Sequence, residues 1–510
     1  MNLLKSFFVT IILANSCSAW AQTVQLDPNF GNNGIVLTPN TTEIVKTIFT
    51  TDSKILSLGY YYKNNSSLTD DWALTKYNFD GTLDNSFGTN GVVFNTDTVN
   101  GCPVTMVIQP DNKILVVGSK YYGHIEIAPD VWTGLYKSFI ARYESNGILD
   151  ATFGDNGLVV MDFNSISSGF SSLAVLANNQ IVVGGSVGST TILLKLNSDG
   201  SVDDSFGNSG LVAFDDPDFM FLISDFQLLK DGNILCYGAE FLGYDPMFLE
   251  PYGRIAILKL DTNGEFVSSF GNNGIVFIEN EYAYGMPYCS KSAELENRQI
   301  ILGGSGVLLK LNSDGSLDNT FGNQGIVYHS YPFVDMAVEG NGRIYIAGSK
   351  EINTYDYGYS VCRFNANGIF DGTFNNMGYF DINPSNKDDY VQCATFQSDG
   401  KLLLSGSART NDENANFAIV RLIIDDVGTA ITSINFADVK IYPNPVKNEL
   451  QIESGEHKIN RIEIVDLSGK TIYKFNDSRN QINISALPQG VYFVKIETEK
   501  DVITKKLIKE

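Results

Sequence analysis

The sequence predicts an all-β protein: a seven-bladed β-propeller of four-stranded blades followed by a small C-terminal β-sandwich. Three observations predict it. One motif, L-D-x-x-F-G-x-x-G followed by a β-branched run, recurs seven times. The 510 residues include 47 Gly, 32 Phe and 25 Tyr, a makeup suited to short strands joined by tight turns. Near residue 425 the repeat stops and the composition changes.

In chain order, residues 1–21 read as a secretory signal, with Lys5 as the positive start, Phe7 to Ala14 as the apolar stretch and Ala19-Trp20-Ala21 as the cleavage site. The competing reading is a lipoprotein signal on Cys17, but Ala14-Asn15-Ser16 lacks the Leu expected three positions before the cysteine. No later run of 18 apolar residues occurs, so no transmembrane segment is expected and the mature chain should be soluble.

Residues 22–424 carry the repeat. Its phenylalanines are Phe30, Phe87, Phe153, Phe206, Phe270, Phe321 and Phe374. A second motif, a polar turn followed by Lys, Asn, Gln or Arg and an apolar run ending in Gly, is clearest in QPDNKILVVG and QSDGKLLLSG. A third, as in SFIARYESNG, completes each unit. Four short strands per unit follow, called lanes a to d: in the second unit VTMVIQ, KILVVGS, SFIARYE and GLVVMDF. Asx-Gly signals between a and b, and between c and d, mark hairpins. A lone four-stranded unit has two faces to cover, so stacking blades in a propeller is favoured over a solenoid or separate domains. The array opens with a d strand and ends with a, b and c. The N-terminal strand is therefore expected to complete the last blade and remove its open edge.

Over about residues 24–424 these units resemble the delta-60 repeat proteins. The resemblance implies a propeller-like β fold and no particular activity.

A basic residue recurs in lane c: Lys76, Arg142, Lys195, Lys259, Lys310, Arg363 and Arg421. Eight positions beyond the first six stand Asp84, Asp150, Asp203, Val267, Asp318 and Asp371. A hairpin of that length predicts cation–carboxylate pairs, with Lys259 left out by Val267. For Arg421 the unclaimed acid is Asp27, so this pair is expected to form across the closure. Desolvation offsets much of the gain, and register is the expected role. These turns supply only one or two carboxylates each, too few for a calcium loop of the alternating acidic kind. They also resemble the Asp-box of sialidase propellers, but the arginines here are already accounted for by the repeat.

Binding is expected on the face carrying the b–c loops, which vary widely in length. Their aromatic residues are Tyr61, Trp72, Tyr121, Tyr122, Trp132, Tyr136, Tyr244, Tyr252, Tyr355 and Tyr357. Flat rings beside Asp and Asn suit sugars or a protein partner; packing of the loops on themselves is the competing reading. Only His124, His329 and His457 occur, far apart, and no nucleophile, zinc or phosphate-loop motif is present, so no catalytic residue, metal or cofactor is expected. With 58 acidic against 35 basic residues the net charge is −23, which argues against nucleic acid as a partner. Cys102, Cys236, Cys289, Cys362 and Cys393 are odd in number and widely spaced, which indicates no disulfide framework; a bridge among Cys102, Cys289 and Cys393 stays open.

Residues 425–437 read as a linker. Residues 438–510 hold 12 basic and 11 acidic side chains, so the acidity belongs to the repeats. Seven alternating strands, from KIYPNPV to ITKKLIKE, predict the β-sandwich. The segment resembles the type A sorting domain of type IX secretion cargo, through Tyr442-Pro443-Asn444-Pro445, IVDLSGK, LPQGVYFVKI (with Gly490, Tyr492 and Lys495) and the basic ending with Lys505 and Lys506. The resemblance implies type IX secretion machinery as partner, and secretion or display on the outer surface of a Gram-negative cell. The function expected is non-enzymatic binding of a glycan or protein. The alternative is a carbohydrate-active lyase or glycosidase using acids of the propeller funnel.

Overall fold

The structure, a computed structural model, describes residues 23–425 and 440–510 except residues 40, 62–71, 96–100, 129–130, 166, 217–218, 245–250, 280–287, 355, 386, 410–414, 454–458, 466–470, 476–479 and 499–501. The expected export signal, Cys17, Tyr355 and most of the linker lie outside the described residues. The chain divides into two compact units, Met1–Gly428 and Thr429–Glu510.

Among the described residues of the first unit there are seven antiparallel sheets of four lanes each. The second sheet is representative: Cys102–Ile108 (a), Ile114–Ala128 (b), Val131–Tyr143 (c) and Leu158–Met161 (d). Lanes b and c are covered on both faces, which is why they read as continuous apolar runs: Leu115, Val116 and Val117 are all fully buried. Each lane a touches lane a of the next sheet, and Asp389–Phe396 in the last touches Thr41–Phe49 in the first. Hydrogen bonds fasten that joint, with Ser405 Oγ donating to Thr47 Oγ1 at 2.8 Å and Phe417 N to Thr41 Oγ1 at 2.6 Å.

The last sheet draws on both ends of the unit. Ile35–Thr38 pairs with Phe417–Val420 as its d lane, and Thr23–Leu26 pairs with Leu422–Asp425 where other blades have a closed c–d turn.

The repeat motif packs each blade against its neighbour. Its phenylalanine is buried in all seven copies, under the cation of lane c: the Arg142 guanidinium lies 4.4 Å from the Phe153 ring centre and that of Arg421 4.4 Å from Phe30. The N–H of the following glycine donates to the next blade's c–d turn, as Gly154 does to Asp199 O at 2.9 Å and Gly31 to Asp80 O at 2.8 Å. That turn presents its own glycine: a Cβ on Gly200 (φ +92°) would lie 2.9 Å from Phe153 and 2.8 Å from Val159. Close approach and positive φ together require glycine there. The last copy, in blade six, with Asn375 in place of the first glycine, faces the blade whose c–d turn is divided between the two chain ends.

In the second unit, Lys440–Tyr442, Glu449–Glu453 and Gln481–Asn483 form one sheet, and Ile459–Val465, Thr471–Phe475, Gly490–Thr498 and Val502–Lys509 the other. Their core includes Leu450, Ile462, Ile464, Ile482, Val494 and Leu507. No described helix is long and apolar enough to cross a membrane.

Candidate functional site

The structure brings each lane-c cation to a carboxylate. Arg142 Nε is 2.6 Å from Asp150, Lys195 and Lys310 are each 3.2 Å from Asp203 and Asp318, and Arg363 Nε is 2.9 Å from Asp371. Across the closure, Arg421 Nε lies 2.9 Å from Asp27 Oδ2 with both residues buried. Lys76 reaches Asp84 only at 3.9 Å, because Lys54 occupies the same oxygen at 2.8 Å. Lys259 turns instead to Asp231 of the a–b turn, at 2.9 Å.

Sequence reasoning missed the second donor. The residue that starts lane b also reaches the repeat carboxylate: Lys54, Lys113 at 2.7 Å from Asp150, Lys401 at 3.2 Å from Asp27, Gln180 at 2.9 Å from Asp203 and Gln299 at 3.0 Å from Asp318. The recurring Lys or Gln of the second motif was the available signal. The other carboxylate oxygen caps its own turn, as Asp318 Oδ1 does by accepting from Thr320 N and Oγ1. Burial alone would raise the Asp84 carboxyl. Hydrogen bonds from Lys54 and Ser86 outweigh it and hold the pKa at about 2. Asp318 is likewise held at about 2, by Thr320 foremost.

On the opposite face, the described residues of the expected b–c loops of blades two, four and six are strand. Lanes b and c continue as antiparallel ribbons, Ile114–Ala128 with Val131–Tyr143, Ile234–Tyr244 with Pro251–Leu260, and Ile344–Asn353 with Asp356–Phe364. Bulges at Tyr121/Gly123 and Phe241/Gly243 absorb the glycines that made these stretches resemble loops. The blade-two ribbon exposes Tyr121, Tyr122, Trp132 and Tyr136, with Trp132 60% exposed. Tyr121 packs on Tyr136 and His124 with ring centres 5.4 Å apart in both cases, and the Lys137 ammonium sits 5.1 Å from the Tyr122 ring. The blade-four ribbon exposes Tyr244 (63%) and Tyr252. Tyr357 of blade six stacks on Tyr390 of blade seven at 5.8 Å, and its N–H donates to Asp388 at 3.3 Å. Trp72 and Tyr61, grouped by sequence with these loop aromatics, are buried instead. Trp72 opens lane c of blade one and meets Tyr143 of blade two edge-on at 6.1 Å, while Tyr61 packs 4.6 Å from Phe94. Neither offers a ring to solvent.

A third region lies where the a lanes meet. In every blade one lane-a residue pairs with the residue just before lane b's closing glycine. These equivalent residues are Lys46, Thr105, Ser172, Asp225, Lys291, Asp335 and Cys393. A bulge immediately precedes six of them among the described residues. Lys46, Asp225, Lys291 and Asp335 line a cavity of about 350 Å³. Asp335 is tied down: Oδ1 accepts from Met336 N and Oδ2 from Ala394 N, both at 2.9 Å, with Lys291 Nζ at 3.7 Å. Asp225 accepts from Phe226 N at 2.8 Å, and burial pushes its carboxyl above the usual range against the pull of Lys291.

Among the described residues no group of three or more His, Cys, Asp and Glu side chains is placed to hold a metal, and the five cysteines form no disulfide. Burial pushes the Cys289 thiol up to about 12, far from a reactive thiolate.

In the C-terminal unit, Tyr442, Pro443, Asn444 and Pro445 are exposed beside the terminal strand. Ile508 N donates to Asn444 Oδ1 at 2.8 Å, and Val446 N to Ile508 O at 2.8 Å. Gly490 pairs with Lys509, exposed Lys495 with Thr504, and the backbones of Lys505 and Lys506 with Val494 and Phe493. Tyr492 is buried, its hydroxyl donating to Pro488 O at 3.1 Å. The tetrapeptide and the basic ending are thus one contiguous structure.

Residues 440–510 match the family model described as a secretion system C-terminal sorting domain. The second unit is a sorting domain. It marks the chain for type IX export, to secretion or the outer cell surface. Residues 176–206, 296–321 and 397–422 match a β-propeller described as a domain of unknown function (DUF5122), which is consistent with the delta-60 repeat. The first two stretches run from an a–b turn to a motif phenylalanine. The third stops at Leu422, where the blade passes to the N-terminal strand. No curated protein matches the chain. Similar solved structures include PorZ, an essential surface component of the type IX secretion system of Porphyromonas gingivalis, at 11% identity and TM-score 0.38, covering 92% of this chain and 59% of that one. Virginiamycin B lyase from Staphylococcus aureus is similar at 11% identity and TM-score 0.42, over 79% of this chain and 100% of that one. This chain thus spans about three fifths of the PorZ chain and the full length of the lyase.

Proposed function

We propose that the exported propeller is a non-enzymatic binding module whose ribbons on blades two, four and six engage a glycan or a protein at the cell surface. The observation that carries this reading is the set of exposed rings held on paired strands: Tyr121, Tyr122, Trp132 and Tyr136 on one ribbon, Tyr244 and Tyr252 on another, and Tyr357 on the third. Large exposed aromatics rimmed by polar groups are characteristic of interaction surfaces, and strand pairing holds them in place before a partner arrives. The stacked Tyr357–Tyr390 pair, bordered by Asp388, offers a flat face beside a carboxylate, an arrangement suited to a sugar ring.

The purified protein should give positives on a glycan array or in a pull-down, and Trp132→Ala with Tyr136→Ala should reduce them at least tenfold without changing the melting temperature. Blank results with an intact fold would overturn the reading. The alternative, a lyase or glycosidase using funnel acids, draws support from the raised carboxyl of Asp225. Against it, both oxygens of Asp335 are occupied by backbone amides. Polysaccharide turnover lost in Asp225→Asn would decide for that alternative.

A further inference from the structure

The sites at the centre of the ring are equivalent in register but not in chemistry. Two lysines and two aspartates line one cavity. Their charges cancel formally but not locally. Lys291 and Asp335, on neighbouring blades, stand 3.7 Å apart, and Asp335 is further held by two backbone amides. Lys46 of blade one has no carboxylate of a described residue within ion-pair distance, though it acts on Asp225 through space. Asp225 of blade four accepts from Phe226 N at 2.8 Å, is also steadied by Ser172, Lys291 and Lys46, and has no cation of a described residue within ion-pair distance. Lys46 and Asp225, on blades one and four, which are not adjacent in the ring, therefore lack a partner at contact distance, although Lys291 and Lys46 both draw on the Asp225 carboxyl.

We infer that this cavity binds a small zwitterion, its carboxylate facing Lys46 and its ammonium facing Asp225. The cavity volume falls at the lower end of the roughly 300–1,000 Å³ typical of small-molecule sites, so the ligand is of amino-acid to short-peptide size. Gln227 and Ser292 flank the acids: Ser292 Oγ donates to Gln227 Oε1 at 2.7 Å, which leaves the Gln227 amide N–H groups aimed at no described acceptor. Burial of a carboxylate without a cation in contact is costly, and a ligand ammonium at Asp225 would relieve that cost while the ligand's carboxylate meets the half-buried Lys46. The pressure that raises the Asp225 carboxyl is the kind that a nearby ammonium would lift. The bulges before Lys46, Asp225 and Lys291 are the backbone device that re-aims these side chains, and bulges recur next to functional sites. This site is separate from the ribbon surface and does not depend on it.

The test is isothermal titration of the full chain with free amino acids, dipeptides and tripeptides, followed by the N-acetyl and methyl-ester forms of the tightest binder. The zwitterion is expected to bind, and each blocked form to bind at least tenfold more weakly. Lys46→Met should abolish the preference over the ester, and Asp225→Asn the preference over the N-acetyl form, with both variants retaining the far-ultraviolet spectrum of the parent. Absence of binding across the panel, equal affinity for a blocked form, or unchanged affinity in both variants would overturn the assignment. Should a variant misfold, Lys46→Arg and Asp225→Glu serve in its place; these are expected to keep the charge preference and shift affinity less.

Discussion

The two faces of the ring are built on opposite principles. On the c–d turn face the buried phenylalanine and the cation over its ring return in every blade, and a repeat carboxylate and a glycine N–H reaching the next blade return in all but blade four and blade six respectively. On the ribbon face nothing returns. Blades three and five end lanes b and c in tight turns at Val187–Thr190 and Gly304–Val307, whereas blades two, four and six extend paired strands that carry exposed rings. The difference teaches where constraint lies. A face that joins seven sheets must repeat, because each blade is both donor and acceptor to a neighbour. A face that joins blades only here and there, as Tyr357 does with Tyr390, is free to vary.

Breaking the repeated face should therefore cost stability, most at the closure. Asp27→Asn leaves the Arg421 guanidinium without its buried carboxylate, and loss of one partner of a buried pair costs about 3–5 kcal/mol. Thermal or urea unfolding should show the largest drop of any single charge substitution here. Phe153→Ala removes a buried ring from a joint held in covalent order and should cost about 3–5 kcal/mol by the same measurement. It should not open the ring, because Gly154 still bonds Asp199.

Acid should act on the same face. The Asp84 and Asp318 carboxyls have folded values of about 2, below the ordinary value near 3.9. Each contributes stability that is fully present above about pH 4 and lost as pH falls through about 2. Urea midpoints measured from pH 5 to pH 2 should fall steadily, and Asp318→Asn should flatten part of that slope. The smallest effect sharpens the contrast with the ribbon face. Lys76→Met should cost less than Lys54→Met, because the lane-b lysine sits 2.8 Å from Asp84 and the lane-c lysine 3.9 Å. Trp132→Ala should leave stability within about 0.5 kcal/mol of the parent, as expected for an exposed side chain.

The sequence carried the fold class because the motif repeats at a period that only stacked four-stranded units explain. The eight-residue step from lane c to the turn also pointed to Arg142 with Asp150, and phase pointed to Arg421 with Asp27. Other features were hidden for physical reasons. Lys54 and Lys113 were visible as the start of an apolar run, but nothing in a linear pattern says that lane b begins beside the c–d carboxylate. The ribbons were mistaken for loops because Gly123 and Gly243 sit in bulges, where glycine is compatible with continued pairing. Trp72 stood beside a polar insertion in sequence yet belongs to a strand covered on both sides. The central ring was invisible because its register is set by bulges and its residues share no type, from Lys46 to Cys393.

The account depends most on closure of the ring by its own N-terminal strand, and a cysteine crosslink tests that directly. Gln25 and Ile423 are opposite each other in the register that joins Thr23–Leu26 to Leu422–Asp425. Opposed Cα atoms in such ladders lie about 4.5–5.5 Å apart, within disulfide range. The double variant Gln25→Cys/Ile423→Cys should oxidise to a peptide linking residues 25 and 423 by mass spectrometry, with a raised melting temperature. A folded variant that keeps both thiols reduced under oxidant would contradict the closure.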